Sequence, residues 1–319
     1  MLIILTEELM QKRRIRILYT GGTIGSSEKN GIIGPDPAMR DYLIDRYQEV
    51  TGDRETEFSF DEPYYILSEY LDGAHINCLT DTLRRHIAEA ETDSETAGII
   101  VTVGSDTVQY VSAATALLLH HANVPVIFVL SNALLTLPTS NGLDNFVHAV
   151  TTLLKKDAAG EDLPAVTVSY KNPGDAPRLF DPLRLYPHLP FDGTLYESPH
   201  AFPKSLVYPD PNVQLSDPAP VLLLYPAPGF HYPNPAEGTK AVLLATYHSG
   251  TMDTRSASFI KFAGGSQARG IRIYLLGADR ETQYESTEAY AKLGITVLPE
   301  MSPVAAYLWL WYKYSEVSV

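Results

Sequence analysis

Short, β-rich apolar runs recur along this chain with helical stretches between them, and that recurrence constrains the fold more than any other feature. The runs fall at residues 15–19, 98–103, 124–130, 166–170, 221–225, 241–246 and 271–276. They are nearly continuous in apolar side chains rather than alternating, as strands buried on both faces are. The expected fold is therefore α/β, with a largely parallel sheet covered on both sides by helices. Helices are expected at residues 79–90, 107–121, 141–156, 255–269, 287–293 and 303–314. Gly270 and Gly294 follow two of them, where a left-handed cap is wanted.

Prolines crowd residues 172–218 and leave few periodic runs there, so irregular structure or a long connector is expected. A chain of 319 residues exceeds one ordinary small domain. The expected division is an amino-terminal domain over residues 1–205, a linker over 206–218 and a smaller carboxy-terminal α/β domain over 219–319. No internal repeat is found.

Composition narrows the partners. Acidic side chains outnumber basic ones 38 to 24, for a formal net charge of -14, which repels nucleic acid phosphates and anionic membranes. Hydrophobic residues make up 45% and charged residues 19%, as in a chain that folds by itself. The lone cysteine, Cys78, rules out an intrachain disulfide framework and lacks the soft co-ligands of a structural zinc site. It reads as a small buried filler. Residues 1–10 begin apolar, but Glu7 and Glu8 interrupt the run before a signal-peptide core or a spanning length is reached. A cytoplasmic location is expected.

Two segments carry chemistry. In the first, a strand from Ile17 runs into Thr20-Gly21-Gly22-Thr23-Ile24-Gly25. Ligands in open α/β sheets bind at the carboxyl ends of strands, which is where Thr20 and Thr23 fall. Paired glycines let backbone N–H groups approach a substrate and supply an oxyanion site, and a threonine hydroxyl becomes a nucleophile once a base takes its proton. Taken alone, the segment reads first as a strand-ending turn or a weak phosphate loop, and it lacks the lysine of a P-loop. In the second segment, a strand from Ile99 ends in Gly104-Ser105-Asp106-Thr107. Asp106 has the charge to hold a substrate ammonium group and Ser105 the hydroxyl to relay a proton. By itself this segment reads first as a helix cap.

Together the two segments resemble the paired signatures of the bacterial-type L-asparaginase/glutaminase family, of the cytoplasmic type I kind, whose second signature reads Gly-Thr-Asp-Thr. The resemblance continues through Ser131-Asn132 and Ser140-Asn141-Gly142-Leu143-Asp144-Asn145, and on to Thr246-Tyr247-His248-Ser249-Gly250-Thr251. It implies a two-domain asparaginase-like fold and hydrolysis of a small side-chain amide to the acid and ammonia, through a threonine acyl-enzyme. It implies no metal or other cofactor, and a homodimer or homotetramer. By the same resemblance Thr23 is the nucleophile, Ser105 stands for the second catalytic threonine, and Asp106 holds the substrate α-amino group. Thr20 and Gly22 shape the nucleophile loop.

The chain departs from the family pattern at three places. The mobile-loop tyrosine falls on Ile32. The serine that grips the α-carboxylate falls on Gly73, where backbone N–H groups of Gly73 and Ala74 are the remaining donors. The lysine supporting the second hydroxyl falls on Pro187 or His188, whose imidazole has the chemistry to relay a proton. Three functions follow: an amidohydrolase activated by other groups (Glu28, Lys29, Tyr19 or His188), an amino-acid-binding protein without turnover, or a nucleotide-binding α/β module. Core and interface packing is the default reading of the many aromatic residues, with Trp309 and Trp311 in the last helix as candidates for lining a subunit contact.

Overall fold

The computed structural model describes residues 14–93, 95–159, 163–277 and 284–315. The chain divides into two compact units, one of Met1–Pro182 with His188–Tyr196, the other of Leu183–Pro187 with Glu197–Val319. The apolar start at residues 1–10 lies outside the described residues.

In chain order the first unit contains β1 (Arg14–Tyr19), β2 (Ser26–Lys29), β3 (Ile32–Pro35), α1 (Ala38–Thr51), β4 (Glu57–Asp61), α2 (Gly73–Thr92), β5 (Thr96–Thr102), α3 (Val108–Leu119), β6 (Val126–Val129), α4 (Gly142–Ala159), β7 (Val166–Tyr170) and β8 (Arg178–Phe180). Its main sheet has the order β4-β1-β5-β6-β7-β8. All pairings are parallel except that of β8, which runs antiparallel to β7. Every residue of β5, β6 and β7 is buried, which is why these strands read as unbroken apolar runs. On one face Ile15, Ile17, Tyr19, Ile100, Ile127 and Val129 of the sheet pack with Leu43 and Tyr47 of α1 and Phe146, Val150 and Leu153 of α4. Each such side chain, fully buried, contributes about 1.5–3 kcal/mol of transfer free energy. Helix α3 is buried at eleven of its twelve positions, so its sequence shows little amphipathic contrast.

The second unit contains β9 (Val221–Leu224), β10 (Ala241–Ala245), α5 (Ala257–Ala268), β11 (Arg272–Leu276), α6 (Glu285–Lys292), β12 (Ile295–Val297) and α7 (Pro303–Ser315). Its sheet has the order β12-β11-β10-β9 and is parallel throughout. Gly270 and Gly294 adopt left-handed φ values of 73° and 64° after α5 and α6, as expected from their positions.

Residues 206–218 follow an irregular path fastened inside the second unit. The indole N–H of Trp309 donates to Val207 O at 2.9 Å and that of Trp311 to Ser216 O at 2.8 Å. Both tryptophans are 8% exposed. Their surface and their N–H groups are thus committed within one chain, in line with core packing, and leave little of either for a subunit contact. The reading of Cys78 is corrected: the residue is exposed on α2, its thiol 3.4 Å from Pro63 O, because the buried stripe of that helix passes through Ile76, Leu79 and Leu83. Among the described residues no helix is long and apolar enough to cross a membrane.

Candidate active site

Strands β4, β1 and β5 lie side by side and parallel, so the segments leaving their carboxyl ends emerge on one edge of the sheet. After β1 the chain turns at Gly21 and Gly22 into a short 3₁₀ turn, Thr23–Gly25, in which Thr23 is half-buried. After β5 it turns at Gly104 into a second 3₁₀ turn, Ser105–Thr107. After β4 the segment from Glu62 to Leu67 leads to a third, Ser68–Tyr70.

Backbone hydrogen bonds fix these three loops together. Ile66 N donates to Thr20 O at 3.1 Å, and Gly22 N donates to Ile66 O at 3.0 Å. The Thr20 hydroxyl is buried and donates to Thr102 O at 2.6 Å, tying the end of β1 to the end of β5. Gly22 has φ 73°, and a Cβ there would overlap Gly104 Cα and N. A Cβ on Gly104 would in turn overlap the Ser68 hydroxyl. The glycines thus permit a backbone approach that no other residue allows, with the residue before Thr23 against the residue before Ser105, and Ser68 against Gly104.

The cap reading of the second segment does not hold. The 3₁₀ turn begins after Gly104 and α3 after Thr107, neither with a side-chain cap. Ser105 Oγ lies 3.5 Å from Asp106 Oδ1, a marginal contact, and Asp106 is exposed. The hydroxyl of Ser105 and the carboxylate of Asp106 are therefore not consumed by helix initiation.

Aromatic side chains from the segment after β4 brace the nucleophile loop. The Tyr65 hydroxyl donates to Gly25 O, and its ring stacks on Tyr19 with centroids 5.9 Å apart. Tyr19 donates to Ile24 O at 3.4 Å. Burial pushes the Tyr65 phenol up to about 12 and the Tyr19 phenol higher still, so both remain neutral donors. The Tyr64 ring meets His75 edge-on at 5.1 Å, and burial raises its phenol as well.

The other sequence candidates are distributed as follows. Gly73 and Ala74 form the first turn of α2 behind the cap Asp72, whose carboxylate accepts from His75 N at 2.9 Å. Ile32 is 73% exposed on β3. Lys29 pairs with Asp36 at 3.0 Å, and Ser27 donates to the same carboxylate at 2.6 Å. These bonds, the one from Ser27 foremost, hold Asp36 at about 2. Glu28 is exposed on β2. His188 lies in the stretch His188–Tyr196 that belongs to the first unit, with Nδ1 3.1 Å from Ser105 O. The family-like Ser131-Asn132 and Ser140-Asn141 segments bind each other: Asn132 N donates to Asn141 Oδ1 and Asn141 N to Asn132 Oδ1, both at 2.9 Å. They shape the loop after β6.

Ser68 escaped the sequence reading. Its signal is weak, since it opens a three-residue 3₁₀ turn held by the bridge of Gly21 to Ile66 and by its packing on Gly104, contacts distant in sequence. No cluster of metal-ligating side chains occurs among the described residues.

The chain resembles known proteins in sequence and in fold. Residues 14–170 match the family described as asparaginase, N-terminal. The chain is 30% identical over 164 residues to a subunit of the glutamyl-tRNA(Gln) amidotransferase of Thermoplasma acidophilum, covering 49% of this chain and 35% of that protein. It is 28% identical over 146 residues to the same-named subunit of Saccharolobus islandicus, covering 44% and 30%. The match therefore spans only 35% and 30% of the length of these relatives. In structure the chain is similar to L-asparaginase I from Vibrio cholerae, with a TM-score of 0.70 at 20% identity over 97% of this chain and 94% of that one. It is likewise similar to the L-asparaginase from Thermococcus kodakarensis, at 0.68 and 19% over 95% and 93%. At these identities the likeness establishes a shared fold.

Proposed function

As a member of the asparaginase family, this chain is one that we propose to be an amidohydrolase, cleaving the side-chain amide of asparagine or a related small amide to the acid and ammonia. The observation that carries the reading is the packing of Gly22 on Gly104, which sets the Thr23 turn beside Ser105 and Asp106 at the ends of adjacent strands. The Thr23 hydroxyl attacks the amide carbon and forms an ester. Amide N–H and C=O groups are neutral and need no metal to be held, and the backbone N–H groups of the glycine turn are the donors for the oxyanion. Asp106, exposed at the mouth, takes the substrate ammonium group. Ser68, set against Gly104, is the hydroxyl proposed to take the role first assigned to Gly73, in gripping the substrate carboxylate.

The substrate is read as a free small amide. The curated relatives are named as subunits of a tRNA-dependent amidotransferase, but a formal charge of -14 disfavours direct contact with tRNA phosphates. The same reading takes the protein to be cytoplasmic, free of cofactors, and a homodimer or homotetramer.

Ammonia release from asparagine, glutamine and a panel of small amides tests this. Thr23→Ala is expected to lower kcat on the active amide by on the order of a thousandfold or more. Equal release by wild type and variant on every amide, with an amino acid still bound, would instead favour a binding protein without turnover.

A further inference from the structure

The hairpin β2–β3 continues straight from the nucleophile turn, and burial does little to hold it. Ser26 alone among its residues is buried, and residues 28–33 are all exposed. A two-stranded hairpin with no apolar face to pack is marginally stable in water. Its last pair, Ser26 with Pro35, is also short of a donor, because proline has no N–H. The hairpin is therefore set in place by polar contacts at its base.

Those contacts converge on Asp36. Its N–H donates to Gly25 O at 2.9 Å, which continues the ladder past the proline. Its Oδ2 accepts from the Ser27 hydroxyl at 2.6 Å and pairs with Lys29 Nζ at 3.0 Å, while Oδ1 accepts from Ala38 N at 3.1 Å. Side chains two apart on a strand share one face, so a single carboxylate takes both Ser27 and Lys29 of β2. Ala38 opens α1, a helix fastened to the core of the first unit by Leu43 and Tyr47. On the turn side, the Ser26 hydroxyl donates to Gly22 O at 2.8 Å, and Gly25 N donates to the same oxygen at 3.0 Å. Asp36 is thus the joint between a core-packed helix, an exposed hairpin and the turn that carries Thr23.

We infer that Asp36 is a positioning residue for the nucleophile: its carboxylate clamps the hairpin to α1 and thereby fixes the Thr23–Gly25 turn from the hairpin side. The inference rests on the amidohydrolase reading. Asp36 moves no proton; it acts on Thr23 through Gly25 O and the strand that follows. From the other side the same turn is braced by Gly22 against Gly104 and by the Tyr65 hydroxyl on Gly25 O. The Ser27 bond is the main part of the clamp, because Lys29 is 72% exposed and an ion pair so open to water contributes little. A carboxylate suits the joint: it only accepts, and its partners on β2 and α1 all donate. The Ser27 hydroxyl, with Lys29 and Ala38 N behind it, holds that carboxyl at about 2, so the acceptor is present throughout the neutral range.

Asp36→Ala removes every carboxylate contact and leaves the backbone bond to Gly25 O. In hydrogen exchange on the full chain, the hairpin amides are expected to exchange roughly tenfold faster or more, while those of β5, β6 and β7 keep their wild-type rates. On the active amide, kcat is expected to fall by on the order of ten- to a hundredfold, because a small misplacement of the nucleophile is enough. KM is expected to stay within about twofold, since the groups proposed to hold the substrate, Asp106 and Ser68, lie on other segments. Ser27→Ala cuts the strongest contact alone and is expected to reproduce most of the kcat loss. The double variant is expected to lose no more than Asp36→Ala, as two residues sharing one bond do. A Thr23-dependent kcat that both single variants leave at the wild-type value overturns the inference and spares the amidohydrolase reading. So does wild-type hairpin exchange in Asp36→Ala, or single losses that simply multiply in the double variant. Absence of any Thr23-dependent release overturns both.

Discussion

Gly22 meets Gly104 backbone to backbone, with no room for a side chain on the Gly22 side, and this contact joins the loops that leave β1 and β5. Replacing Gly22 by Ala therefore does two things at once. It strains a residue at φ 73° and drives a methyl group into Gly104. The expected cost is about 1–3 kcal/mol of stability, together with loss of ammonia release beyond what the stability change explains. Urea unfolding and an activity assay on the folded fraction measure the two effects. Activity and stability both equal to wild type would show that the loops meet in some other way.

Ser68→Ala isolates the residue that the sequence did not reveal. Removing one hydroxyl from the substrate side of the site is expected to raise KM on the preferred amide by roughly tenfold, equal to about 1.4 kcal/mol, while kcat changes less. A fall confined to kcat would place Ser68 in the proton path instead. Gly73→Ala, in the first turn of α2, is expected to leave KM near wild type.

Burial decides which parts of the fold were legible in the sequence. Strands β5 and β7 could be read to within two residues because every side chain in them is buried, and a short unbroken apolar run between turn residues suits a strand covered on both faces. Helix α1 went unread because only Leu43 and Tyr47 of its fourteen residues are buried, too few to mark an apolar stripe. Edge strand β4 has no buried residue at all. The nucleophile turn and the Ser105 turn were legible as local motifs, since each is a strand ending in glycine. Ser68 and the anchoring of His188 were not, because both depend on contacts between residues tens of positions apart.

Asp53 gives the first unit a dependence on acid. Burial alone would raise its pKa, but hydrogen bonds from the hydroxyls of Thr56 and Tyr47 and from the N–H groups of Glu55 and Thr56 hold it well below the usual carboxylate range. A depressed folded-state pKa contributes stability that is present above the unfolded value of about 3.9 and is lost as pH falls through the folded one. Asp53→Asn is expected to unfold at lower denaturant near neutrality and to lose less of its stability between pH about 5 and pH about 2 than wild type does. Parallel curves for the two proteins across that window would remove Asp53 from the acid transition.

The tyrosines behind the nucleophile turn set the opposite limit. Tyr65, pushed up to about 12 mainly by burial, and Tyr19 above it, are protonated in the folded chain where an unfolded phenol would already ionise. Raised values of this kind contribute stability that is complete below the unfolded value of about 10 and is lost as pH rises from there through the folded value. The Tyr65 hydroxyl donates to Gly25 O, so stability declines from pH about 10, while the folded protein keeps this donor to the Thr23–Gly25 turn until pH nears 12, where its ionisation should lower activity as well. Tyr65→Phe keeps the ring stacked on Tyr19 and deletes only the hydroxyl. It is expected to be about 1 kcal/mol less stable near neutrality, from the lost hydrogen bond, and to show a shallower alkaline decline. Denaturation midpoints measured against pH for both proteins decide it: an alkaline slope in Tyr65→Phe as steep as in wild type would mean that other buried phenols, Tyr47 among them, carry the transition.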